Sequence, residues 1–153
     1  MKKIISLLLI VLVAAGCNKE KIYKADLAGN WTVYKYLLYN VDQTQQFQNQ
    51  HPGFNITFTS GGQFTEYYTT TVDTIINGNL VADTVNASVP GTYSFANNDE
   101  MLVLTNTYTA YRLVDTTYVP YTATNVQQYT IFNLTANHVQ LRTDTSQLYM
   151  TKK

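Results

Sequence analysis

Charge is scarce in this chain: Asp, Glu, Lys and Arg make up 13% of its 153 residues, about half the ~25% usual in soluble domains. Ten basic and ten acidic residues leave no net charge. With no basic excess to displace counterions, nucleic acid is not expected as a partner. A single cysteine, Cys17, excludes an intramolecular disulfide and a Cys-ligated metal. The two histidines, His51 and His138, stand far apart without ligands at metal-binding spacing, so no metal and no cofactor is expected. There is no Gly-x-Ser-x-Gly elbow and no Gly-rich loop entering a helix. Asp99-Glu100 is the one adjacent carboxylate pair besides isolated acids; acid/base work on glycosides stays open on that basis. No constellation of nucleophile, base and oxyanion donor accompanies it, and the expectation is a protein that is not an enzyme.

Prolines number three and glycines seven, against thirteen tyrosines, frequent threonine and 45% hydrophobic residues. Such a chain can fill one core, and its length allows a single domain. β-Branched and aromatic side chains fit a pleated, half-buried surface, so the fold class is all-β.

The long apolar run is confined to Ile4–Gly16, behind Lys2-Lys3. It is too short for the ~20 residues of a membrane span and reads as a secretory signal over residues 1–16. Val13-Ala14-Ala15-Gly16-Cys17 resembles the bacterial lipobox, with Ala14 where leucine is preferred. The resemblance implies cleavage before Cys17 and attachment of a diacylglyceryl group and further palmitate-type acyl chains to that residue, which together hold a protein stably on a membrane. Residues 17–25 read as a lipidated polar tether and residues 26–153 as the folded domain. Asn18 follows the cysteine. An aspartate there would resemble an inner-membrane retention signal, so the outer membrane is expected, the side it faces being open. Between Ala25 and Thr151 three basic residues face nine acidic ones, a net of −6. The tether lysines are placed either to meet anionic headgroups or simply to be solvated.

The mature chain is a series of strand signals. Leu27–Trp31 leads into Thr32–Tyr39, a long strand apolar on both faces; Asp42–Gln50 is a Gln-rich loop or single helical turn; Phe54–Thr59 alternates and returns through Ser60-Gly61-Gly62 as Gln63–Tyr68. Asn77-Gly78 centres a second hairpin, with arms Thr71–Ile76 and Leu80–Val85. Pro90-Gly91 reads as a break, and Pro120 places Thr105–Thr124 on an edge or loop. Further strands are read through to Leu148–Thr151, which makes eight to ten short antiparallel strands, the count of a barrel or sandwich.

Gly29-Asn30-Trp31 at the head of the first strand matches the Gly-x-Trp signature of the lipocalin superfamily. Leu27-x-Gly29-x-Trp31, Ile56–Phe64, Gly91–Phe95, Tyr129–Leu134, Val139-x-Leu141 and Leu148–Lys153 are similar, in that order, to bacterial lipocalin-like lipoprotein domains. The resemblance implies an up-and-down antiparallel barrel of about eight strands, closed at one end, here with long hairpin extensions. It also implies that Gly29 and Trp31 form the barrel base and that a late-strand cation packs across Trp31. Arg142 is the matching candidate, its alternative being an exposed strand arginine. The Thr-Asp-Tyr motif of full lipocalins is missing.

Eight strands enclose room for packed side chains or one small ligand. If Phe58 pairs with Phe64, then Ile56, Phe58, Phe64, Glu66 and Tyr68 share a face, and counting by twos from Trp31 adds Lys35. Lys35, Phe58, Phe64, Glu66 and Tyr68 are therefore the candidate ligand-lining residues. A charge turned inward must be paired or wetted; the alternative is a bulge that turns Lys35 or Glu66 outward. Asp73-Thr74-Ile75, Asp83-Thr84-Val85 and Asp115-Thr116-Thr117 resemble an Asp-Ser/Thr-apolar acceptor for O-glycosylation of exported proteins, which makes Thr74, Thr84 and Thr116 candidates; chance occurrence in a Thr-rich chain is the alternative. Two functions follow. One is non-enzymatic binding of a small apolar or amphipathic ligand. The other is an interaction subunit that uses its Tyr/Thr-rich hairpins to hold a protein or glycan of the cell envelope.

Overall fold

The structure, a computed structural model, describes residues 19–76, 79–98, 100–114 and 117–153, and their side chains except within 72–81, at 83 and within 110–120. The signal, Cys17 and Thr116 lie outside the described residues, as does the side chain of Thr74. Among the described residues nine strands form one antiparallel sheet: β1 (Gly29–Leu38), β2 (Val41–Asp42), β3 (Asn55–Phe58), β4 (Gln63–Ile76), β5 (Asn79–Ala96), β6 (Met101–Val114), β7 (Thr117–Leu134), β8 (His138–Arg142) and β9 (Ser146–Lys152). Each strand from β3 onward pairs with the next in sequence, and β9 returns to β1, closing an eight-stranded up-and-down barrel with two-residue β2 as a flap beside β1.

The strands are longer and fewer than the turn signals suggest. β4 and β5 are paired without interruption from Gln63↔Thr92 to Ile76↔Asn79, so the two expected hairpin halves are one ribbon. Pro90-Gly91 does not break it. The β5–β6 ladder begins only at Gly91↔Asn106, so Pro90 stands one residue out, where the strand has become an edge and a missing donor is tolerated. β6 and β7 stay paired to Val114↔Thr117, with Pro120 in the free-standing part. Two ribbons thus project beyond the barrel at one end, and exposed Thr84 lies on the first.

The other end is plugged. Trp31, Val33, Ile56, Phe58, Phe64, Tyr93, Leu102, Leu104, Val139, Leu141 and Met150 point inward from seven strands and are buried with Leu27. Each such side chain contributes about 1.5–3 kcal/mol on leaving water. In place of the expected tether, residues 19–27 form a helix, α1. Glu, Lys, Ala and Leu favour that conformation, Lys24 and Glu20 pair at 2.8 Å, and Tyr23 and Leu27 share one face at i,i+4 spacing. That face lies on the barrel base. Leu27 is buried, the Tyr23 ring meets Phe95 edge-on at 5.8 Å, and Lys19 Nζ donates to the Asn98 carbonyl at 2.8 Å.

Gly29 (φ +137°) turns the chain from α1 into β1 in a conformation that favours glycine, and a Cβ there would lie 2.9 Å from Lys152 Cε. The cation over Trp31 is Lys152, not Arg142. Lys152 Nζ sits 5.0 Å from the Trp31 ring and donates to the Asp26 carbonyl at 2.9 Å. The strand directions explain the correction. β8 starts at the base, His138 opposite Thr151, and ends at the far rim, Arg142 opposite Gln147, leaving Arg142 exposed. Trp31 and Lys152 face each other directly across the β1–β9 closure.

Candidate functional site at the barrel mouth

Above the plug the barrel opens into a cleft of about 270 Å³. β1 reaches it only after a bulge. Val33 pairs with Met150 and Lys35 with Tyr149, so Tyr34 is the extra residue and the inward phase passes from Val33 to Tyr36. Lys35, expected to line the interior, is therefore on the outer wall, its Nζ 5.4 Å from the Tyr149 ring centroid. Phe58 and Phe64 do point inward, but they lie buried in the plug with ring centroids 6.1 Å apart and are not among the residues that wall the cleft. Glu66 and Tyr68 reach the cleft from β4, facing Gln127 and Tyr129 of β7 and Ser146 and Leu148 of β9.

The remaining wall comes from the Gln-rich segment, where Thr44–Gln50 forms a short helix, α2, and not a single turn. Its start hangs from β1, with the Tyr36 N–H donating to Thr44 Oγ1 and the Gln43 N–H to the Tyr36 carbonyl, both at 2.9 Å. Its end is tied to β4 through the Thr69 N–H and the Pro52 carbonyl, 2.8 Å. Held at both ends, α2 sets Phe47 against Tyr36 (5.0 Å), His51 (5.0 Å) and Phe54 (5.4 Å), while His51 meets Tyr68 edge-on at 5.8 Å. Neither Tyr36, Phe47, His51, Phe54 nor Tyr129 is expected from strand alternation alone. The i,i+4 spacing of Phe47 and His51 was the signal available for two of them.

Electrostatically the cleft is a half-buried carboxylate among rings. Burial raises the Glu66 pKa above its ordinary value. Tyr129 is pushed up to about 12 by burial first, then by the charge of Glu66 and by Tyr36, and its hydroxyl donates to Gln127 Oε1 at 2.8 Å. An acid whose folded pKa is raised keeps its proton longer folded than unfolded. Folding stability therefore falls as pH climbs from about 4.5, the ordinary value, through the folded value. Glu66→Gln removes that fall. Urea midpoints at pH 4 and pH 7 should converge in the variant relative to the parent chain, and equal pH slopes would contradict the burial of this carboxylate.

A wider depression, about 610 Å³, lies on the outer wall beside Met101, Phe132, Arg142 and Asp144. Phe132, the bulged residue of β7, is 66% exposed there, out of phase with Ile131. Among the described residues no three His, Cys, Asp or Glu side chains are placed to hold a metal ion, and no helix is long and apolar enough to cross a membrane.

Residues 1–18 match the family model of the prokaryotic membrane lipoprotein lipid attachment site. No curated protein matches the chain. Two solved structures are similar in outline. One is a lipocalin-like protein from Bacteroides uniformis, at 14% identity over 84% of this chain and 99% of that one, TM-score 0.48. The other is an uncharacterised protein from Bacteroides eggerthii, at 12% identity over 83% and 99%, TM-score 0.49. The chain thus carries a lipoprotein lipid attachment site, which places it on a membrane, ahead of a closed eight-stranded up-and-down antiparallel barrel.

Proposed function

We propose that this lipoprotein is a non-enzymatic binding protein of the outer membrane that takes one small apolar or amphipathic ligand at the mouth of its barrel. The observation that carries the reading is the cleft of about 270 Å³ walled by Tyr36, Phe47, Phe54, Tyr68 and Tyr129 above a solid apolar plug. Binding sites combine such apolar walls with a few polar groups that orient the ligand. A cavity of about 150 Å³ accepts benzene, so the cleft suits a ligand of one or two rings or a short chain. The outer membrane rests on Asn18 after the lipidated cysteine.

A second reading has its own support. Tyr108 and Tyr121 are 50% and 45% exposed on the β6–β7 ribbon, and tyrosine gives contact area at little cost in side-chain entropy, as a surface for an envelope protein or glycan requires. Native mass spectrometry separates the two. The whole mature chain with Cys17→Ser, exported through a non-lipoprotein signal, is weighed before and after denaturation. Binding at the mouth predicts a small adduct that leaves on denaturation and is absent from a Tyr68→Trp variant. A clean apo mass, also in the presence of envelope extract, overturns the first reading and favours the ribbons.

A further inference from the structure

We propose that the mouth selects a cationic ligand, an organic ammonium whose charge pairs with the Glu66 carboxylate while its apolar part lies against the rings of Tyr36, Phe47, Phe54 and Tyr68. This deepens the binding reading above and rests on it. The cleft holds one carboxylate, and neither lysine nor arginine lines it. Lys35 is turned to the outer wall by the β1 bulge, and Arg142 is exposed on the outside of the rim. The one ion pair among the described residues, Lys24–Glu20, is on α1 at the far end. The polar groups beside Glu66, namely Gln127, Ser146 and the Tyr129 hydroxyl, are neutral. His51 is on the same wall, its ring turned edge-on to Tyr68.

A half-buried carboxylate without a counter-ion is an unfavourable thing to keep in a cleft. It also repels anionic ligands, fatty acids among them, so the site discriminates by charge as well as by size. Burial is what raises its pKa, with no neighbouring cation to bring it back down. An ammonium at that position supplies the missing charge, and aromatic faces attract cations through their quadrupoles, most strongly where water is displaced.

The test uses the same mature Cys17→Ser chain and four probes of one chain length: hexyltrimethylammonium, hexylamine, hexanol and hexanoate. Affinities are read by chemical-shift titration at pH 8, where both nitrogen probes are charged. The two cations should bind at least about tenfold more tightly than hexanol, a difference of about 1.4 kcal/mol, and hexanoate most weakly. Glu66→Gln, similar in size, should bring the cation affinities down to that of hexanol in the same variant, with thermal melting confirming that the variant folds. Equal binding of cation and alcohol, or a preference that survives Glu66→Gln, overturns the inference and leaves the binding reading intact. If no probe shifts any mouth resonance the inference also falls, and the native mass of the exported chain then decides whether the binding reading falls with it.

Discussion

Trp31→Ala should remove about 3–5 kcal/mol of folding stability, the range for truncating a large buried aromatic. Natural domains have about 5–15 kcal/mol in all. Three losses coincide at this position. The ring is fully buried in the plug, so its removal leaves a cavity that closed strands on every side cannot collapse into. Its Nε1–H donates to the Leu27 carbonyl at 2.6 Å, so an acceptor at the end of α1 is left without its partner. Lys152, seated over the ring, loses the surface that holds it across the base. Trp31→Phe keeps a ring and should lose much less, the hydrogen bond accounting for about 1 kcal/mol. Because Trp31 is the only tryptophan, urea unfolding must be followed by far-UV circular dichroism. A loss below about 1 kcal/mol for the alanine variant would show that the base is not sealed by this residue.

Gly91→Ala is the smallest change expected to have a large effect. A Cβ at this position would lie 2.5 Å from Phe64 Cε1 and 2.6 Å from both Phe64 Cζ and the Thr105 carbonyl oxygen. Phe64 is the cross-strand partner of Gly91, its ring laid over the glycine and itself buried among Phe58 and Tyr93. It has little room to swing away. The Thr105 oxygen belongs to the backbone of β6 and can move only with its strand. Overpacking of this kind typically costs about 1–3 kcal/mol, and more when backbone has to shift, so the melting temperature should fall by several degrees. The double variant Gly91→Ala/Phe64→Leu separates the two contacts. Partial recovery would assign the strain to the ring, and no recovery would assign it to the β6 carbonyl. An unchanged single variant would mean that β5 and β6 are further apart than described.

Both predictions concern the part of the molecule that sequence patterning describes best. The inward phase of Ile56, Phe58, Phe64, Glu66 and Tyr68 follows from strict alternation on either side of a glycine turn, and every one of them points into the barrel. β1 fails the same count because one extra residue, Tyr34, reverses the phase halfway along, and a bulge leaves no mark in composition. Strand length is not legible at Pro90-Gly91, since a proline signals an edge as well as a break and only the point where β5 leaves β6 tells the two apart. The cation over Trp31 depended on which strand closes the barrel. Lys152 and Arg142 are equally plausible by type, and the β1–β9 pairing selects between them. α1 escaped because a short run of polar helix formers is marginal in isolation. It folds on contacts, through Tyr23 and Leu27, with a base that exists only once the barrel has closed.

The docking of α1 has a further consequence for how the protein stands in the cell. Between the lipid-bearing Cys17 and Lys19, where the helix is already held against the β5–β6 turn, the chain can extend roughly 7 Å. That is a mooring too short to let the barrel turn over or drift from the bilayer. The sealed floor must rest near the headgroups, with the opening pointing into water a full barrel's length above. On the binding function proposed above, a ligand arrives from the aqueous phase and not by lateral diffusion out of the lipid, and the two ribbons stand first in the way of anything that approaches from that side.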